Sequence, residues 1–528
     1  MKPSVPPLTA LLLMTATPAA AQTLDVVTGS GPVHGAVADG GVVAFKGIPY
    51  ASPPVGPLRW RPPQPAARWT SPRDATRFGT PCFASPLPGP PSRVVESEDC
   101  LTLNVWTPPA GVTGKRPVMV WIHGGGFVFG SSAQPGYDGT ALAKRGVVLV
   151  SINYRLGVLG FLAHPALDRE GPASGNYGLQ DQIAALRWVR ANIAAFGGDP
   201  ANVTIFGESA GAHAVGMLMA SPPARGLFAK AIAESGAFWD SEHGSIATHG
   251  EALARGTAFQ QRMGATDLAA LRAMPADRLN TATAWDIRLD PGTTAFAPSV
   301  DGYVLHEAPA AVFTRGAAAR VPLLAGWNDK EEAPLFLPRA LPHDTPRTFA
   351  TGLASLFGTD RTAAADAVYP SADPATSSAT LIGDLVISQQ TWELLALQQH
   401  ARRTGVYAYQ FSFTSPYSPV ANHTAEVKYV FGNLGSPMLG RGVGEPGPRD
   451  RATGELMTAY WTNFATRGDP NGPGLPTWPA YAGPGSHVLA IAPDGARAAT
   501  ETGTDRFRFI QSFRKAGRLP EHWRTVMP

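Results

Sequence analysis

The middle of the chain alternates between short apolar runs and longer segments whose apolar residues recur at helical spacing. Residues 117–122 (Pro-Val-Met-Val-Trp-Ile) run into glycines, and 147–152 form a second apolar run. Unbroken runs of this length predict strands buried on both faces of a parallel sheet. Between 178 and 196, Leu179, Ile183, Leu186, Trp188, Val189 and Ile193 mark one side of a crossover helix. A β-branched strand is predicted at 202–206 and a helix at 212–219, with a sharp glycine-flanked turn between them. Later strands are predicted at 321–325 and 406–413, and helices at 251–274 and 388–403. Residues 23–70 are richer in glycine, proline and short β runs, which predicts antiparallel strands along one sheet edge. The alternation defines an α/β protein: a central, mostly parallel sheet with an antiparallel N-terminal edge and helices on both faces.

With 528 residues and 44% hydrophobic content, the chain has enough apolar material for a large core. No repeat or long linker divides it, so residues 22–528 are expected to form one elaborated domain. Its 57 glycines and 51 prolines make about a fifth of the chain, below the level of low-complexity sequence, and therefore mark loops. A net charge of +3 with no run of five like charges leaves no footprint for nucleic acid, so the expected partner is a small molecule.

The N-terminus reads as an address. Lys2, an apolar stretch at 8–16, and Ala19 and Ala21 before Gln22 predict a signal peptide of residues 1–21, followed by periplasmic or extracellular residence. That stretch is too short to span a bilayer and no later segment supplies a span. The only cysteines, Cys82 and Cys100, would meet oxidising conditions in which a disulfide persists; two unpaired buried thiols are the alternative.

Chemistry concentrates at Gly207-Glu208-Ser209-Ala210-Gly211, between the predicted strand and helix. A G-x-S-x-G motif in that context is a nucleophile elbow, whose glycines make room for a strained serine at a helix N-terminus. A second motif, His123-Gly124-Gly125-Gly126-Phe127, follows the strand at 117–122. Acyl transfer requires backbone N–H donors close to a developing oxyanion, and residues without side chains let the main chain approach. The N–H groups of Gly125, Gly126 and Ala210 are the candidates for this oxyanion hole. His123 precedes the serine in the chain and is expected to brace the loop by hydrogen bonding.

These motifs, with Phe45-Lys46-Gly47-Ile48-Pro49-Tyr50, Glu98 through Val105, Asn153-Tyr154-Arg155 and Gly175 through Asp181, resemble the type-B carboxylesterases, the family of cholinesterases and bacterial para-nitrobenzyl esterases. The resemblance covers nearly the whole mature chain. It implies an α/β-hydrolase fold, hydrolysis of small-molecule carboxylic esters through a Ser-Glu-His triad, no metal or organic cofactor, and a disulfide between Cys82 and Cys100.

In this fold the acid and then the histidine follow the serine. Five histidines lie beyond residue 331. His343, His400, His487 and His522 have surface readings, whereas His423 follows the strand at 406–413, in a stretch resembling the family's histidine motif with Thr424 in place of a common glycine. The acid is sought after the strand at 321–325, where Asp329, Glu331 and Glu332 compete. Register from Gly326 and Asn328 selects Glu331 by resemblance, with Glu332 as the rival. Phe127, Phe238 and Trp239 are candidates for lining the substrate pocket, or equally for filling core. Ser235 resembles a family serine near the histidine.

Cholinesterases seat a cationic group on a tryptophan inside the first disulfide loop; between Cys82 and Cys100 this chain has Phe83 as its only aromatic. Two rival readings remain: a noncatalytic binding module of the family, disfavoured by the presence of all triad residue types, and a hydrolase of amides, lactones or thioesters.

Overall fold

The computed structural model describes residues 24–84, 94–109, 111–238, 246–283, 296–331, 341–402, 405–436 and 442–515. The expected leader, Trp239 and Glu332 lie outside the described residues.

Among the described residues, eleven strands form the central sheet: β1 (Ala36–Val37), β2 (Val43–Pro49), β3 (Thr102–Thr107), β4 (Arg116–Ile122), β5 (Val148–Ile152), β6 (Gly198–Glu208), β7 (Lys230–Glu234), β8 (Leu323–Asn328), β9 (Val406–Phe411), β10 (His487–Ala492) and β11 (Gly495–Thr500). Their spatial order is β11-β10-β9-β8-β7-β6-β4-β5-β3-β2-β1. Pairing is parallel from β5 through β10 and antiparallel at both ends. Side chains alternate across a strand. Along β4, Val118, Val120 and Ile122 accordingly enter one apolar core while Met119 and Trp121 enter another on the opposite face. Two buried faces explain why the strand reads as an unbroken apolar run.

Among the helices, α1 (Tyr177–Asn192) crosses between β5 and β6, α2 (Ala210–Ala220) follows β6, and α3 (Gln389–Arg402) precedes β9. Several bounds differ from expectation. β6 extends back to Gly198 because Arg116 pairs with it across an irregularity that accommodates the polar residues between. β8 begins two residues late, after Pro322, and runs on to Asn328 by pairing with β9. The helix expected over 251–274 is two, His249–Arg262 and Leu268–Arg272. Gly264 takes a left-handed φ of 69° between them, and the Asp267 side chain caps the second.

Helix α3 is preceded by a π-helical turn, Asp384–Ser388, that sequence periodicity did not foretell. At the N-terminus only β1 and β2 join the central sheet; Asp25–Val27, Pro32–His34 and Arg73–Asp74 make a separate three-stranded sheet. Cys82 and Cys100, both buried, are joined by a disulfide.

Candidate active site

At the end of β6 the chain turns abruptly at Ser209 and enters α2 at Ala210. Ser209 has φ 56° and ψ −125°, a conformation that costs a non-glycine residue energy and persists only where its surroundings enforce it. Those surroundings are tight. A methyl group on Gly211 would sit 2.0 Å from the Ile122 carbonyl oxygen, and one on Gly207 2.6 Å from the same atom. Both glycines of the motif are thus required for β6, β4 and α2 to converge. The Ser209 N–H donates to the Glu234 carbonyl (2.9 Å), which ties the turn to the end of β7.

The glycine loop after β4 lies against this turn: a methyl on Gly124 would be 3.1 Å from Ser209 Cβ. Gly125 (φ 110°) and Gly126 (φ 61°) take backbone conformations that favour glycine, and a methyl on Gly125 would strike the Phe129 carbonyl oxygen at 2.1 Å. Ala210 opens α2, so its N–H has no partner within the helix. His123 points away from catalysis. Its Nδ1 is 2.8 Å from the Gly124 carbonyl, its ring stacks on Tyr154 at 4.5 Å, and the Tyr154 hydroxyl donates to its carbonyl. Burial pushes its pKa down to about 4, leaving a neutral brace.

Two loops from later strands complete the site. The Lys330 N–H donates to the Ala421 carbonyl (3.0 Å), and this contact docks the loop after β8 on the loop after β9. His423 then lies between Ser209 and Glu331: Nε2 is 2.9 Å from Ser209 Oγ, and Nδ1 is 2.7 Å from Glu331 Oε2. The other oxygen of Glu331 accepts from the Asn328 N–H (2.6 Å) and from Ser235 Oγ (2.7 Å). Glu331 and His423 are both buried.

Around the imidazole stand further buried carboxyls. Glu208 Oε1 lies 3.2 Å from His423 Nε2 and has no hydrogen-bond partner among the described residues. Burial pushes Glu208 up to about 8, with His423 opposing the shift and the charges of Glu426 and Glu331 adding to it. For His423, burial acts to lower the pKa, but the charge of Glu208 and the hydrogen bond and charge of Glu331 outweigh it and raise it. Glu426 accepts from Asn328 Nδ2 (2.6 Å), lies 3.0 Å from Ser235 Oγ, and is pushed up to about 7 by burial and by the Glu331 charge.

Asn328 and Glu426 were not singled out for roles from sequence, although both stood in the stretches that located the acid and the histidine. Phe127 and Phe238 are fully buried, packed edge-on against Phe161 (5.6 Å) and Phe313 (5.4 Å). Among the described residues, no group of three His, Cys, Asp or Glu side chains is arranged to hold a metal ion.

A serine on a strand–turn–helix at the end of a central strand of a mostly parallel sheet, facing a glycine loop from the adjacent strand and a histidine from a later one, defines an α/β-hydrolase. The chain belongs to the carboxylesterase family, whose model matches residues 22–510, and it is a carboxylic-ester hydrolase. It is 41% identical over 490 residues to the fumonisin B1 esterase of Sphingopyxis macrogoltabida, covering 90% of this chain and 88% of that one. Against the para-nitrobenzyl esterase of Bacillus subtilis (strain 168) the identity is 36% over 477 residues, covering 86% and 92%. Among solved structures, a carboxylesterase of Geobacillus stearothermophilus superposes with a TM-score of 0.79 at 35% identity, over 92% of this chain and all of that one.

Proposed function

We propose that this enzyme cleaves carboxylic esters through an acyl-enzyme, with Ser209 as nucleophile, His423 as general base and acid, and Glu331 as the carboxylate that orients and stabilises the imidazole. The observation that carries this reading is the continuous line from Ser209 Oγ through both ring nitrogens of His423 to Glu331, with steps of 2.9 and 2.7 Å. His423 Nε2 takes the serine proton as Oγ attacks the ester carbonyl, and the N–H groups of Gly125, Gly126 and Ala210 receive the oxyanion. The proton passes to the departing alcohol. Water then repeats the sequence on the acyl-enzyme, releasing the acid and restoring Ser209.

Phe127 and Phe238 are proposed to wall the acyl pocket, since each follows a segment that touches the serine turn. The relatives' names point to different esters, so the substrate of this chain is set by its own pockets. Neutral esters are the proposed class: Phe83 is the only aromatic between Cys82 and Cys100, and a cationic alcohol there would lack the tryptophan face that gives the best cation–π contact. We also propose that residues 22–528 work as one domain exported by a leader of residues 1–21. In support, the family model begins at residue 22, a disulfide is present, and no helix among the described residues is long and apolar enough to cross a membrane.

A panel of neutral esters, amides, lactones and choline esters tests the reading with purified enzyme. Neutral esters are expected to turn over fastest. Faster hydrolysis of a choline ester than of its neutral isostere contradicts the pocket assignment, and absence of any ester turnover contradicts the whole.

A further inference from the structure

The segment that follows β7, Ser235-Gly236-Ala237-Phe238, runs beside the serine turn with almost no clearance. A methyl on Gly236 would be 2.7 Å from the Ser209 carbonyl oxygen, and one on Gly216 of α2 would be 2.0 Å from the Ala237 carbonyl oxygen. Two consecutive N–H groups of this segment are each held by a side chain from a different helix. His213, one turn into α2, accepts the Ala237 N–H at its Nδ1 (3.1 Å) while its own N–H donates to the Ser209 carbonyl (2.9 Å). Gln390, at the start of α3, accepts the Phe238 N–H at Oε1 (3.1 Å).

The Gln390 amide cannot turn freely, because its Nε2 donates to the carbonyl of Val386 within the π-helical turn. Both side chains are buried, and neither bond serves the ladder of a helix or strand. A buried polar side chain that reaches across to one particular backbone amide fixes where that amide sits. Here the amide belongs to the residue whose ring meets Phe313.

We infer that Gln390 and His213 are positioning residues that set acyl-chain selectivity, by clamping the adjacent N–H groups of Phe238 and Ala237 so that the Phe238 ring stays fixed. The inference rests on the reading of Phe238 as a wall of the acyl pocket. Releasing either N–H frees the segment to move, and the pocket then admits longer acyl chains. The Ser209–His423–Glu331 line does not pass through either clamp, so the consequence falls on which ester is accepted.

The test compares kcat/KM for p-nitrophenyl octanoate and p-nitrophenyl acetate, with kcat and KM resolved separately. Gln390→Met keeps the length of the side chain and removes its acceptor; His213→Leu removes the other. Each is expected to raise the octanoate-to-acetate ratio by about tenfold, the scale on which small changes of an apolar pocket discriminate.

A merely structural role would lower kcat on both esters alike and leave the ratio unmoved. Phe238→Leu separates the two readings. If it leaves the ratio unchanged, Phe238 is not a pocket wall. If it shifts the ratio while folded Gln390→Met, or His213→Leu where the former does not fold, leaves it unchanged, the clamp is overturned.

Discussion

Glu331 stands out at the scale of single residues because its two oxygens do different work. One accepts from Asn328 N and Ser235 Oγ, which anchors the carboxylate, and the other faces His423 Nδ1. Glu331→Gln preserves the shape and removes the charge that holds the imidazole tautomer. Its kcat is expected to fall by about 10⁴-fold, as for the corresponding change in other triads, while Glu332→Gln changes kcat little. Side-by-side kcat measurements check this, and a loss confined to Glu332→Gln moves the acid by one position. The carboxyls around the imidazole set the pH response. As the proposed base His423 acts only when neutral, and against burial the charge of Glu208 and the hydrogen bond and charge of Glu331 raise its pKa. Activity is therefore lost as pH falls through that raised value and regained above it. In a pH profile of kcat/KM, the midpoint of the acid limb is expected above 6.5; a midpoint at or below 6.5 contradicts the account.

Local sequence went far toward this site. Ser209 is legible because strand, glycine turn and helix lie consecutively in the chain, and His423 because the fold orders its parts. The surroundings of Glu331 were legible only in part. Resemblance marked Ser235 as a serine near the histidine, but its meeting with Asn328 and Glu426 depends on bringing the ends of three strands together, and no local pattern encodes that. Thr424 is a related case: it holds a left-handed φ of 73°, and the glycine common at this position in the family, not the threonine itself, is the sign of that backbone.

Among elements, those fixed by hydrophobic periodicity were read well and those fixed by a single backbone event were not. The apolar run that became β4 and the spaced residues of α1 carry their signal over several turns or strand residues. The break at Gly264, the π-helical turn at Asp384–Ser388 and the small sheet containing Asp25–Val27 each depend on one local conformation or one distant pairing. The disulfide belongs at this scale too. It joins residues 18 apart and restricts the unfolded chain, a contribution of roughly 3 kcal/mol for a loop of this size. Replacing both cysteines by alanine is expected to lower the midpoint of thermal unfolding and leave the kcat of the folded enzyme near wild type. An unchanged midpoint in calorimetry contradicts the stabilising role.

For the molecule as a whole, a sheet buried on both faces supplies the rigidity that holds Ser209 in its strained turn, and the parallel strands β6, β7, β8 and β9 deliver the serine, Ser235, Glu331 and His423 to one end. On the proposed function, this convergence makes Ser209 the nucleophile of ester hydrolysis. The most direct test is kcat of Ser209→Ala on a p-nitrophenyl ester, with folding confirmed by an unchanged unfolding midpoint. A loss on the order of 10⁶-fold is expected, as on removal of the nucleophile in other serine hydrolases. A folded Ser209→Ala enzyme that keeps more than about one per cent of wild-type kcat, far above that scale, would show that another group attacks the ester.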